Sequence, residues 1–190
     1  MLLKNFWIAA RLLALMTVLT GVLYTGFVTV VSQLAFHDAA NGSLVVRDGQ
    51  VIGSRLIGQS FTSPRYFWSR PSATSTPYDA SASSGSNYGP LNADLKKAVE
   101  ERVAALHASD PEQHAPIPVD LVTTSGSGLD PHISPASALW QVPRVARERK
   151  LDVDAVRKLV ETHVEGRTFG LFGEPRVNVL ELNVALDELR

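Results

Sequence analysis

The sequence predicts an α+β chain: one N-terminal transmembrane helix followed by a single soluble mixed α+β domain. Three observations predict it. An uncharged apolar run of 20 residues, Leu12 to Val31, lies near the amino terminus. Short β-forming segments bounded by turn residues follow it, and the later capped, apolar-striped helices do not alternate with strands regularly enough for a parallel sheet.

The span comes first. No charged residue stands between Arg11 and Asp38, and at 1.5 Å per residue 20 helical residues cover roughly 30 Å, the thickness of a hydrocarbon core. A cleaved signal peptide has a shorter apolar stretch and small residues before its cut, whereas Gln33, His37 and Asp38 occupy the corresponding positions here. The expected organisation is a cytoplasmic N-terminus over residues 1–7, a membrane helix over 8–31 and an extracytoplasmic domain over 32–190. Orientation rests on Lys4, Arg11 and the amino terminus, since basic flanks stay cytoplasmic; Phe6 and Trp7 suit an interfacial anchor. The expected location is therefore a cell inner membrane with the main domain on the periplasmic or outer side. Within the span Thr17, Gly21, Thr25 and Thr29 recur every four residues. Such a small-residue stripe lets helices approach closely in lipid and predicts a helix-packing interface.

In the domain, Leu44 to Val46 and Val51 to Leu56 flank Asp48-Gly49, a hairpin signal. Between Ser60 and Pro90 stand nine Ser, three Thr and four Pro, interleaved with Phe61, Tyr66, Phe67, Trp68, Tyr78 and Tyr88. A flexible linker is poor in aromatics, so an ordered irregular segment that packs its rings is expected. Asn92 caps a helix whose Leu95, Val99, Val103 and Leu106 share a face and which ends before Pro111. Ser134-Pro135 starts another, expected to bend or break at Pro143. Asp152 caps the next, with Leu151 stapled against Val156. Arg176 to Leu182 reads as a strand and Asn183 as the cap of a terminal helix.

Composition excludes several functions. None of the 19 Asp and Glu residues precedes Asp38 while two of the 18 Lys and Arg do, so the domain is net acidic, which disfavours a nucleic-acid partner. Without Cys there is no thiol chemistry, thiolate metal site or sulfur-linked lipid. The five His lack paired ligand spacing, so no metal is expected. The run Thr123 to His132 holds Ser125, Ser127, Asp130 and His132, the residue types of a membrane-anchored extracytoplasmic serine hydrolase. However, the Gly-x-Ser-x-Gly elbow is absent, and a triad draws its members from distant parts of a fold. Ser125 to Gly128 and Ser84 to Gly89 could cradle a phosphate, but neither continues into a P-loop. Arg144, Arg147, Arg149 and Lys150 read as a solvated basic face. A tethered binding module is the remaining alternative.

Longer blocks narrow the choice. The chain contains Gly53-Ser54-x-Leu56-Ile57-Gly58-Gln59-x-Phe61, Tyr66-Phe67-x-x-Arg70-Pro71-Ser72-Ala73 and Ser84-Gly85-Ser86-Asn87-Tyr88-Gly89-Pro90-Leu91-Asn92. Pro118 to Pro135, Gln141-x-x-Arg144-Val145-Ala146 and Gly173 to Asn183 follow in order. Together they resemble the KdpC family, the C subunits of the bacterial and archaeal Kdp potassium-transporting ATPase; one departure is Ser84, where the family pattern has Gly. The resemblance implies a non-catalytic subunit with no catalytic residues and no cofactor of its own, ATP being met through the pump complex. It implies as partners a potassium-carrying channel-like subunit, a P-type ATPase subunit and a small one-span subunit. It further implies help in assembly and a catalytic-chaperone action that raises the ATP affinity of the hydrolysing subunit, with Gln141 linked to nucleotide. The charge asymmetry of the span opposes that last role, because it puts Gln141 outside the cytoplasm. The expectation is that Gln141 lies near a helix bend and stabilises it.

Overall fold

The computed structural model describes residues 1–189, and the chain divides into two compact units, Met1–Leu44 and Val45–Arg190. In the first, α1 (Leu2–Ala35) is one helix that contains the expected span, has a mean hydropathy of 1.9 and buries none of its residues. Its middle, Thr17–Tyr24, is π-wound. Threonine hydroxyls enter the ladder there: Thr20 Oγ1 donates to Met16 O (2.7 Å), Thr25 Oγ1 to Thr20 O (3.1 Å) and Thr29 Oγ1 to Thr25 O (2.8 Å). The winding matters for the small-residue stripe. In a pure α-helix residues four apart rotate by about 40° per step, so a four-residue repeat drifts around the cylinder. The wider π-turn rotates the opposite way and offsets that drift over Thr17 to Thr25. After α1 a single turn, His37–Ala40, is fastened by Asn41, whose Nδ2 donates to Gln33 Oε1 (3.1 Å) and His37 O (2.7 Å).

The second unit opens on a hairpin of β1 (Leu44–Arg47) and β2 (Gln50–Ser54). Asp48 and Gly49 both take positive φ, 51° and 77°, as a two-residue primed turn requires. Helix α2 (Ala93–Ser109) is capped by Asn92, which accepts from Asp94 N at 2.7 Å. Helix α3 (Pro135–Arg149) is capped by Ser134, accepting from Ser137 N, and α4 (Val153–Thr162) by Asp152, accepting from Ala155 N. A three-stranded antiparallel sheet has the order β3 (His132–Ile133), β5 (Arg176–Asn178), β4 (Val164–Glu165), with Ile133 and Val164 both facing Val177. Helix α5 (Val179–Glu188) ends the unit.

The main core gathers Phe67, Ile133, Val142, Val145, Val156, Val160, Val177, Leu182 and Leu186, each at most 2% exposed. A second cluster joins Leu106, Val99 and Val103 of α2 to Leu121, Val122 and Trp140. The segment 60–90 is ordered: Phe67 is fully buried, and Phe61 and Tyr66 pack on the main core.

Two local expectations meet the structure. Of the bend or break expected at Pro143 there is no break: helix α3 runs on to Arg149. Val142 and Val145 are fully buried beside it, each contributing about 1.5–3 kcal/mol, and together they offset the ~3 kcal/mol cost of an internal proline. The last strand stops at Asn178, which is itself the cap: its Oδ1 accepts from Glu181 N at 3.2 Å while its Nδ2 donates to Arg55 O at 2.8 Å. Asn183 lies inside α5. The buried set Val179, Leu182, Asn183 and Leu186 has helical spacing.

Candidate functional site

Helix α3 carries the polar centre of the domain. Gln141 and Arg144 are completely buried and one helical turn apart, and both reach the irregular strap formed by residues 60–78. Gln141 Oε1 accepts from Trp68 N and from Arg144 Nη2, both at 2.7 Å; its Nε2 donates to Trp68 O (3.1 Å) and Ser137 O (3.3 Å). An amide has two acceptor positions and two N–H groups. All four are occupied within the chain. Asn183 of α5 does the same one residue earlier on the strap, accepting from Phe67 N (2.9 Å) and donating to Phe67 O (3.0 Å). Two amide side chains thus pair with two consecutive peptide groups as a neighbouring strand would, and so satisfy backbone that has no sheet partner.

Arg144 completes the clamp. Its Nη1 donates to Pro64 O and to Tyr66 O (3.1 Å), and its guanidinium lies 4.6 Å from the Trp68 ring centroid. Burial pushes its pKa down to about 10, so it keeps its proton at neutral pH. Its Nε is buried without a partner among the described residues. The expected solvated basic face is therefore corrected at this residue. Arg147 pairs with the buried Asp110 at 2.7 Å, and Arg149 donates to Arg65 O (2.8 Å) and Asp187 (2.6 Å) while covering the Tyr66 ring. Of the four, Arg147 and Lys150 are exposed. Asp187 also accepts from Arg47 of the hairpin (2.8 Å) and Tyr66 OH (3.1 Å). Burial raises the pKa of its carboxyl, but the hydrogen bonds from Arg149 and Arg47 outweigh that and hold it below the usual range.

The serine-rich run has a different chemistry from the one its residue types suggest. Ser125 Oγ accepts from Gly128 N (2.9 Å) and Ser127 Oγ from Leu129 N (3.1 Å); among the described residues neither hydroxyl bonds a histidine. Asp130 pairs with Arg70 at 3.0 Å, accepts from His132 N at 3.0 Å and lies 3.4 Å from His132 Nδ1. Burial acts to raise the Asp130 pKa, and the bonds from His132 and Arg70 reverse it. The glycines serve close packing. A Cβ on Gly85 would stand 3.0 Å from Gly126 O, and one on Gly128, whose φ is +69°, would stand 2.8 Å from Ser84 O. The two loops are laid backbone against backbone, with Ser84 N donating to Ser127 O at 3.0 Å. An open cleft of about 470 Å³ beside them is lined by Arg70, Asp120, Asp130, His132, Glu174 and Arg176 among others. Among the described residues no three His, Asp or Glu side chains group as metal ligands.

Sequence reading singled out Gln141 but missed that Arg144 is its buried partner, that Asn183 holds Phe67 and that Asp187 joins Arg47, Tyr66 and Arg149. Arg144 is three residues after Gln141 in a helix with an apolar face, and that spacing is the signal that it points inward. Thr17, Gly21, Thr25 and Thr29 lie on α1, in the separate first unit.

Compared with known families, residues 6–188 match the one described as KdpC: K+-transporting ATPase, c chain. The chain belongs to the KdpC family. Curated relatives carry the name potassium-transporting ATPase KdpC subunit. The protein of Methylococcus capsulatus is 57% identical over 190 residues, the whole of both chains. That of Sorangium cellulosum is 60% identical over 183 residues, 96% of each, and that of Dechloromonas aromatica 57% over 182 residues, 95% of each. This KdpC-family chain is thus a membrane-associated subunit of a potassium-transporting ATPase, with one apolar helix long enough to span.

Proposed function

We propose that the chain is a non-catalytic accessory subunit that assists assembly of the potassium pump and raises the ATP affinity of the hydrolysing subunit without itself touching nucleotide through Gln141. The observation carrying this is the saturation of Gln141, whose side chain is 0% exposed and has every hydrogen-bonding position filled by Trp68, Arg144 and Ser137. Its role is to hold the strap on α3. The partners are the potassium-carrying channel-like subunit, the P-type ATPase subunit and the small one-span subunit, reached through the span and the outer domain. The stripe Thr17, Gly21, Thr25 and Thr29 packs against a helix of one of them, a role supported by the π-winding that keeps these positions in line.

The domain faces away from the cytoplasm, because Lys4 and Arg11 lie on the other flank. Single cysteines replacing Leu3 and Ser43 test this directly in a chain that has none. A membrane-impermeant thiol reagent should label position 43 and spare position 3 in intact cells; the reverse pattern overturns the orientation. Detergent extraction tests the subunit role. The chain should copurify with a potassium-stimulated ATPase whose KM for ATP rises when the chain is omitted. A pump that assembles and hydrolyses ATP with the same KM without it ends the proposal.

A further inference from the structure

The loop joining β4 to β5 exposes Phe169 (89%), Leu171 (74%) and Phe172 (67%). No other stretch of four described residues in the second unit exposes three large apolar side chains. The loop is nonetheless rigidly built. Thr168 and Phe172 exchange both backbone hydrogen bonds, at 2.9 and 3.0 Å, and Leu171 N donates to Thr168 O at 3.1 Å. Phe169 is held at φ +54°, a conformation unfavourable for a bulky residue, next to Gly170 at +74°. Two ion pairs pin the base, Arg167 to Glu174 at 2.7 Å and Arg176 to Glu165 at 2.7 Å.

We propose that this hairpin tip is an anchor that inserts into an apolar pocket on another subunit of the pump; the proposal rests on the accessory-subunit reading. Charge selects a protein pocket over lipid. A segment that inserts into a membrane surface sets its apolar side chains beside uncompensated Lys or Arg, whereas both arginines here are neutralised by their own glutamates. An apolar centre inside a neutral polar rim is the anatomy of a protein interface hot spot. Preset backbone geometry lowers the ordering cost of docking. With side chains of roughly 150–200 Å² each, the tip offers on the order of 400 Å² of apolar surface, about half of one side of a standard interface. It therefore acts together with other contacts, the span among them.

The test uses the assembled complex. Leu171→Cys, the sole cysteine of the chain, is coupled to a thiol-directed benzophenone, irradiated in the purified pump, and its adduct identified by mass spectrometry. A cross-link to another pump subunit is expected; adducts confined to lipid, detergent or a second copy of this chain overturn the proposal. Independently, Phe169→Ser with Phe172→Ser should weaken retention of the chain on the pump by about tenfold, with an unchanged melting temperature because the tip lies outside both cores. Undiminished retention overturns the proposal while leaving the accessory reading intact. If the wild-type chain does not copurify at all, the accessory reading falls and takes this inference with it.

Discussion

Replacing Gln141 by Ala would strip a hydrogen bond from three groups: the part-buried Trp68 N–H and C=O and one N–H of the buried, charged Arg144. Each buried group stripped of its hydrogen bond costs about 1–3 kcal/mol, with the charged donor at the upper end, so the loss comes to about 3–5 kcal/mol once partial hydration of the new cavity is allowed for. In a domain of this size about 1 kcal/mol lowers the melting temperature by roughly 2–4 °C, which places the expected drop at roughly 6–20 °C. The assay is near-ultraviolet circular dichroism of the detergent-solubilised full chain, because Trp68 and Trp140 both report on this region. Gln141→Met keeps the volume and removes the hydrogen bonds, and should fall nearly as far. Melting within 2 °C of wild type for both variants would refute the clamp. So would isotope-detected ATP binding to the wild-type domain at submillimolar concentration that Gln141→Ala abolishes without altering its stability.

Three further outcomes are expected. The Asp187 carboxyl titrates below its ordinary value of 3.8 in the folded chain, so its contribution is present above that pH and lost as the pH falls through the depressed value; chemical denaturation at a series of pH values should show a flatter acid limb for Asp187→Asn. Gly128→Ala meets both a left-handed φ and Ser84 O at 2.8 Å, and should destabilise the domain by about 2 kcal/mol, read as a lowered denaturant midpoint. Gly21→Leu should weaken retention in the detergent-extracted pump while membrane insertion, followed by alkaline extraction, stays at the wild-type level.

Features fixed by contacts within a few residues were legible in the sequence. The Asp48-Gly49 turn and the caps at Asn92, Ser134 and Asp152 each depend on a side chain meeting backbone two or three positions away or on a permitted φ. The segment between Ser60 and Pro90, which contains the strap, was legible as ordered because rings such as Phe61, Tyr66 and Phe67 need burial. Features decided by tertiary partners were not. Pro143 argued locally for a break, and the packing of Val142 and Val145 outweighed it. Arg144 read as surface because charge sets the prior, and beyond Gln141 Oε1 it is the carbonyls of Pro64 and Tyr66 and the Trp68 ring, some 75 to 80 positions earlier, that make a buried guanidinium tolerable. Asn183 was misplaced for a related reason: a cap and a core amide are the same residue type, and what separates them is whether the backbone N–H that donates to the Asn Oδ1 lies three residues ahead or 116 behind.

These long-range polar contacts bear on how an accessory subunit can work. An irregular strap normally costs conformational entropy that a partner must supply on binding, about 1–2 kcal/mol per ordered residue. Here Gln141, Asn183, Arg144 and Arg149 already fix the strap backbone at Pro64, Arg65, Tyr66, Phe67 and Trp68, so docking would start from an ordered surface. On the proposed accessory role, a subunit built this way would act by presenting a fixed shape to its neighbours. Any effect on nucleotide affinity must then pass through those neighbours, and it should vanish with loss of docking rather than with loss of any single polar group inside the domain. Strap variants and docking variants should therefore separate: strap variants lower the melting temperature and leave the pump's ATP affinity unchanged as long as the chain stays docked, whereas docking variants lower retention, and with it any effect on ATP affinity, at an unchanged melting temperature.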